Sequence, residues 1–174
     1  IAVQQRERGY DSQVVTLVIL GSLAKNGDYA GAIAELDDGH TAGPLVDDLF
    51  RAWSLVGQGQ MSEALTVFDG LSEQPGLRTF GLYHKALALA SVGDFEGADA
   101  IFSGKEGGPL QATRRGVIAH AEILSQLERN AAAVELIERV VGGAIDPELE
   151  VLRQSLIAGG AVPFDVIRDP ADGI

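Results

Sequence analysis

A short pattern recurs three times in this chain. Gly27-Asp28-Tyr29-Ala30-Gly31-Ala32-Ile33 returns as Gly59-Gln60-Met61-Ser62-Glu63-Ala64-Leu65, and again as Gly93-Asp94-Phe95-Glu96-Gly97-Ala98-Asp99. The interval is about 34 residues. A glycine that ends one helix, set just before a residue that starts another, is a helix–turn–helix signal. Repeated at that period it predicts an all-α array of helix pairs, since one pair cannot bury its apolar face alone. Such an array offers surface to partners and has no inherent active site.

The flanking segments carry the matching helical periodicity. Over 12–26, Val14, Leu17, Val18, Leu20 and Ala24 give a wide apolar face, with Asp11 or Ser12 able to cap the start. Asp28 can cap the next helix, over about 29–38, which aligns Ala32, Ile33 and Leu36. Leu49, Ala52, Trp53 and Val56 mark a helix over 46–58, and Ala64, Leu65, Phe68 and Leu71 its partner over 62–71. A third pair covers 78–92 and 95–102. A fourth covers 111–127 and 131–141, where Glu128-Arg129-Asn130 replaces the glycine turn. Asp146-Pro147-Glu148 then starts a C-terminal helix over about 147–158: a capping acid, a proline for the first turn and a further acid facing the helix dipole. The repeats are expected at about 13–43, 44–76, 78–108 and 111–143, with an irregular tail over 159–174. Residues 1–8 read as the end of an earlier helix.

Composition narrows the possible functions. With 25 acids against 13 bases the net charge is −12. That balance argues against a nucleic-acid role, because phosphate contacts need Lys and Arg. It also disfavours anionic lipid. No cysteine is present, so disulfides, thiolate nucleophiles and cysteine metal sites are excluded. The longest apolar stretch, 14–24, is far too short to cross a membrane, so no membrane insertion is expected. No signal peptide is visible. The chain begins at Ile1 rather than Met, which reads as a mature product or a piece of a longer repeat protein. The compartment, cytoplasmic or exported to the periplasm, stays open.

These features resemble the tetratricopeptide repeat (TPR), a pair of antiparallel helices. The family favours a small residue at its eighth position, matched by Ala52, Ala86 and Ala121 but not by Leu20. Its alanine at position twenty is matched by Ala32, Ala64, Ala98 and Ala133. Its aromatic at twenty-four is matched by Phe68 and Phe102, with Leu36 and Ile137 in the other copies. The Trp favoured at position four is replaced by Thr16, Asp48, Leu82 and Val117, and the Leu at seven by Arg51, Lys85 and His120. The chain is also similar to bacterial proteins that carry many such repeats, often exported ones. The resemblance covers about 13–141. It implies a right-handed solenoid of about four helix pairs plus the C-terminal helix, with a concave groove lined by the first helix of each pair.

In that register Trp53, Phe80 and Tyr83 occupy groove-lining positions, where aromatics anchor a peptide or helix; the alternative is packing between repeats. With Leu49 they form the expected partner-binding face. Val14, Leu17 and Val18, at the outer end of the first pair, form the expected self-association face, giving a possible homodimer. The three histidines, His40, His84 and His120, have no metal-ligand spacing, so no metal and no cofactor are expected. The paired acids Asp37-Asp38 and Asp47-Asp48 sit at helix ends, where solvated or capping roles are expected, and Arg114-Arg115 opens the fourth pair, as a solvated helix start or as a site for an acidic group. Ser103-Gly104-Lys105-Glu106-Gly107-Gly108-Pro109 lacks the spacing of a phosphate-binding loop and reads as a turn. The expected function is a non-catalytic interaction scaffold that binds a protein or peptide of unknown identity, or a copy of itself. The alternative is a carrier for a small molecule or lipid in an apolar groove cavity.

Overall fold

The computed structural model describes residues 12–105, 107–141 and 146–174. Among them there is no strand, and the helices are α1 (Gln13–Lys25), α2 (Tyr29–Asp37), α3 (Pro44–Gly57), α4 (Met61–Glu73), α5 (Arg78–Ser91), α6 (Phe95–Phe102), the single turn α7 (Gly107–Leu110), α8 (Arg114–Gln126), α9 (Asn130–Val141), α10 (Pro147–Ile157) and a final 3₁₀ turn, η1 (Pro170–Gly173). The suggested helix in 1–8 lies outside the described residues, as do the last residues of the fourth expected repeat. The described chain packs as two compact units. Unit 1 takes the residues up to Pro75 together with Asp169–Ile174, and unit 2 takes Gly76–Arg168.

Neighbouring helices pack in sequence within each unit: α1 on α2, α2 on α3 and α3 on α4 in unit 1; α5 on α6, α6 on α8, α8 on α9 and α9 on α10 in unit 2. One turn geometry makes four of these junctions. Asp28 N donates to Leu23 O and Gly27 N to Ala24 O, and the same pair of bonds forms at Gln60/Gly59, Asp94/Gly93 and Arg129/Glu128. This is the Schellman closure, which satisfies carbonyls that a helix end leaves unpaired. It needs a left-handed residue, and Gly27, Gly59 and Gly93 supply it with φ of 71°, 76° and 86°. At the fourth turn Glu128 takes φ 60° without being glycine. Asp28 and Asp94 then cap α2 and α6 through side-chain bonds to Gly31 N and Gly97 N, each 2.9 Å.

The small residues sit where helices meet. Ala32, Ala64, Ala98 and Ala133 have no exposed surface, and neither do Leu20, Ala52, Ala86 and Ala121. Alanine at such positions lets two helices approach closely. Phe68, Phe102 and Ile137 are also fully enclosed and fill the spaces beside them. Burying a side chain of that size contributes up to about 3 kcal/mol. In unit 1 a cluster forms from Leu20, Ala24, Tyr29, Ala32, Leu36 and Phe50. In unit 2 it forms from Val117, Ala121, Leu124, Ala133, Leu136, Ile137, Leu149 and Leu156.

Three stretches depart from the sequence reading. Gly107–Leu110, read in part as a turn, forms the single helical turn α7. α8 begins at Arg114 rather than Gln111, because Thr113 takes the cap and accepts from Gly116 N at 3.1 Å. Gln111 is thereby left to turn inward. The tail, read as irregular, has no regular structure over 160–168 but is bonded to side chains of α8. Its last residues form η1, where Asp169 and Asp172 make a reciprocal capping box. No helix among the described residues is long and apolar enough to cross a membrane.

Candidate functional site

The polar side chains of α8 and the segment that follows α10 form the best-defined site in unit 2. Along α8, Arg115, Glu122 and Ser125-Gln126 fall on one stripe, because residues three, four and seven apart share a helix face. Each is bonded to the main chain of 162–166. Val162 N donates to Ser125 Oγ at 2.9 Å, and Gln126 Nε2 donates to Val162 O at 2.6 Å. Asp165 N and Val166 N both donate to Glu122 Oε2, at 2.8 and 3.3 Å. Arg115 Nη2 donates to Val166 O at 3.3 Å. The segment therefore runs antiparallel to α8. From Gln126 back to Arg115 the helix rises about 16 Å, and an extended run from Val162 to Val166 spans about 13 Å. An extended backbone keeps step with both ends of that stripe; a helical one, rising about 1.5 Å per residue, would not.

Side chains of the segment add apolar contacts. Ile167 is buried, Val162 packs against the core cluster of unit 2, and the Phe164 ring meets Phe95 edge-on at 6.4 Å between centroids. Pro163, Asp165 and Arg168 face solvent. Glu122 itself is buried, and burial raises its pKa above the ordinary carboxylate value against the lowering effect of the two backbone N–H groups. Beside the segment lies a cleft of about 400 Å³ whose walls include Arg114, Arg115, Glu148, Asp165 and Arg168. Arg114 pairs with Glu148 at 2.7 Å and Arg168 with Asp165 at 2.7 Å.

A second polar cluster joins α6 to α8. His120 Nε2 lies 2.9 Å from Asp99 Oδ1, and His120 Nδ1 lies 2.9 Å from Gln111 Nε2. An amide nitrogen only donates, so Nδ1 accepts and Nε2 carries the proton toward Asp99. Gln111 also donates to Phe102 O, and the imidazole stacks on the Phe102 ring at 4.9 Å. Asp99 takes further bonds from Ser103 Oγ at 2.8 Å and Arg129 Nη1 at 2.6 Å. Burial would raise the Asp99 pKa, but these donors outweigh it and hold the carboxyl below its usual range. Burial pushes the His120 pKa below its ordinary value, outweighing the upward pull of Asp99. Ser103 is bonded to the carboxylate rather than to the imidazole, and both ring nitrogens are engaged. The cluster thus works as a satisfied buried network that fixes α6 against α8, without the nucleophile–base pair that acyl transfer requires.

In unit 1 the last residues of the chain close the core. Tyr29 OH donates to Asp169 Oδ1 at 2.6 Å, and burial first, then this bond, pushes the Tyr29 pKa up to about 12. Ala171 and Ile174 pack against the unit 1 cluster. Gly173 lies directly on the Trp53 indole, so closely that a Cβ there would overlap the ring.

The residues singled out from sequence fall in different settings. Trp53 is fully enclosed, edge-on to Phe68 at 5.6 Å. It presents no surface to a partner, because η1 covers it. Leu49 in unit 1 is half-buried, as are Phe80 and Tyr83 on α5 in unit 2. Phe80 and Tyr83 both pack on His84, and the Tyr83 hydroxyl is buried without a hydrogen-bond partner. Val14, Leu17 and Val18 are exposed, at 69%, 44% and 53%. Of the histidines, His40 lies 3.4 Å from Glu35 and His84 is buried. Among the described residues no group of three or more His, Asp or Glu could hold a metal ion.

Glu122, Ser125 and Gln126 escaped the sequence reading. Their signal was present: a carboxylate, a hydroxyl and an amide recur at helical spacing from Arg115 along α8. The alternation of Val162, Phe164 and Val166 around Pro163 and Asp165 was the matching extended-chain signal. No family model matches this chain, and comparison with curated proteins and with solved structures also gives no match.

Proposed function

We propose that this chain is a non-catalytic protein-interaction scaffold of tetratricopeptide-like, solenoid type, and that it binds extended polypeptide segments. Four copies of one helix-closing turn and the enclosed alanines beside them support the repeat reading. The main chain of 162–166, held by four side chains of α8, carries the peptide reading. A surface that already pairs with backbone N–H and C=O groups is a surface suited to peptides, since main-chain bonds supply affinity and flanking pockets select side chains. The charged walls of the adjoining cleft suit a polypeptide better than an apolar ligand. Phe80, Tyr83 and Leu49 belong to the proposed binding surfaces as half-buried apolar groups. Val14, Leu17 and Val18 support a second contact, between copies of the chain.

The test is selection of short random peptides displayed on phage against the full chain, with the bound site mapped by amide chemical shifts. Enriched peptides whose binding moves signals of Arg115, Glu122, Ser125 and Gln126 support the proposal. No enrichment above a denatured control contradicts it. Light scattering tests the second contact: association that Leu17→Glu abolishes supports it, and a monomer at all concentrations removes it.

A further inference from the structure

The bonds that Arg115, Glu122, Ser125 and Gln126 of α8 make to residues 162–166 run to the segment's main chain. The α8 stripe thus fixes where an extended chain lies without fixing its sequence. Selection falls to the apolar side chains: Val162, Phe164 and Val166 alternate as in an extended strand and are half-buried, and Ile167 after them is buried, with Pro163, Asp165 and Arg168 outward. A backbone held in this way forms no helix and no sheet ladder of its own. It can leave without breaking any bond inside α8, since the stripe contributes only side chains. What it leaves behind is Glu122, a carboxylate with two vacated N–H positions, which an incoming backbone can fill again.

From this we infer that residues 161–168 are a resident, exchangeable occupant of the α8 stripe. The free chain is closed by its own segment. The partner that opens it is an extended polypeptide with apolar residues in the 162, 164, 166 and 167 places. The inference rests on the peptide-binding reading above and adds to it a competitor built into the chain.

The experiment uses the full chain and a fluorescent synthetic peptide with the sequence of Ala161–Arg168. Its anisotropy is followed against three proteins: the natural chain, a Phe164→Ser chain that loosens the resident segment, and Phe164→Ser combined with Ser125→Ala and Gln126→Ala, which remove both bonds to Val162. The peptide binds the Phe164→Ser chain at least about tenfold more tightly than the natural one, and the combined variant loses that gain. Folded proteins that bind the peptide equally, or not at all, overturn the inference. If Phe164→Ser does not fold, the natural chain serves instead. Excess peptide then speeds hydrogen exchange at the Val162 and Asp165 amides, and unchanged exchange overturns the inference. A foreign peptide that binds the natural chain without disturbing those amides defeats the resident-occupant inference and leaves the scaffold reading intact. Exchange of the segment with no foreign peptide bound defeats the scaffold reading alone.

Discussion

Glu128 carries a cost that its three counterparts avoid. It makes the same turn as Gly27, Gly59 and Gly93 with a Cβ in the left-handed region, which costs an L-residue roughly 1–2 kcal/mol. Glu128→Gly should therefore stabilise unit 2 by about 0.5–1 kcal/mol once the glycine's greater unfolded freedom is deducted, read as a rise in urea midpoint at constant m-value. The reverse case is Gly173, which sits against the Trp53 indole. Gly173→Ala overpacks that contact and should cost about 1–3 kcal/mol, by the same measurement. A third residue sets an acid limit. Burial, with a smaller push from Arg115, lowers the His84 pKa from 6.5 to about 4. The folded chain thus binds fewer protons there than the unfolded chain. That stability is present above the unfolded pKa and is lost as pH falls through the folded one. Between about pH 8 and pH 5 the His84 contribution should fall by about 2 kcal/mol. His84→Leu should flatten the decline, as seen by urea unfolding at the two pH values.

The long helices were legible because each announces itself by period and punctuation, whereas the tail offers only a short alternation and no helical period. Gly27 and Asp28 end one helix and begin the next in sequence and in structure alike. Asp146 caps α10 through Glu148 N and Leu149 N as its position before Pro147 implies. By contrast, residues 162–166 are held by partners on α8, dozens of residues earlier, through main-chain groups that every sequence possesses. Trp53 shows the same limit: its helix register was readable, whereas the glycine that covers it lies at the far end of the chain. The Asp99–His120–Gln111 cluster joins α6, α8 and the turn before α8 by side chains that looked unrelated in sequence. Removing its centre is the informative change. Asp99→Ala leaves Arg129, His120 and Ser103 without their shared acceptor and should cost about 3 kcal/mol. Asp99→Asn, which keeps an acceptor oxygen, should cost less. Equal losses would mean that packing rather than hydrogen bonding joins α6 to α8.

For the molecule as a whole, the C-terminal residues serve two purposes. Those up to Arg168 belong to unit 2, where they lie on α8; those from Asp169 complete unit 1, where they cap Tyr29 and cover Trp53. The central claim is that the first part is a peptide in a peptide site and can leave it, while α8 stays folded. Hydrogen exchange at single amides tests this most directly, because the Val162, Asp165 and Val166 N–H groups each have one side-chain acceptor on α8 and Leu124 lies within the helix itself. The account predicts that the three segment amides exchange through a local opening at least about tenfold faster than Leu124, with little dependence on urea. Segment amides that exchange only with global unfolding, at the Leu124 rate and with the same urea dependence, would contradict it.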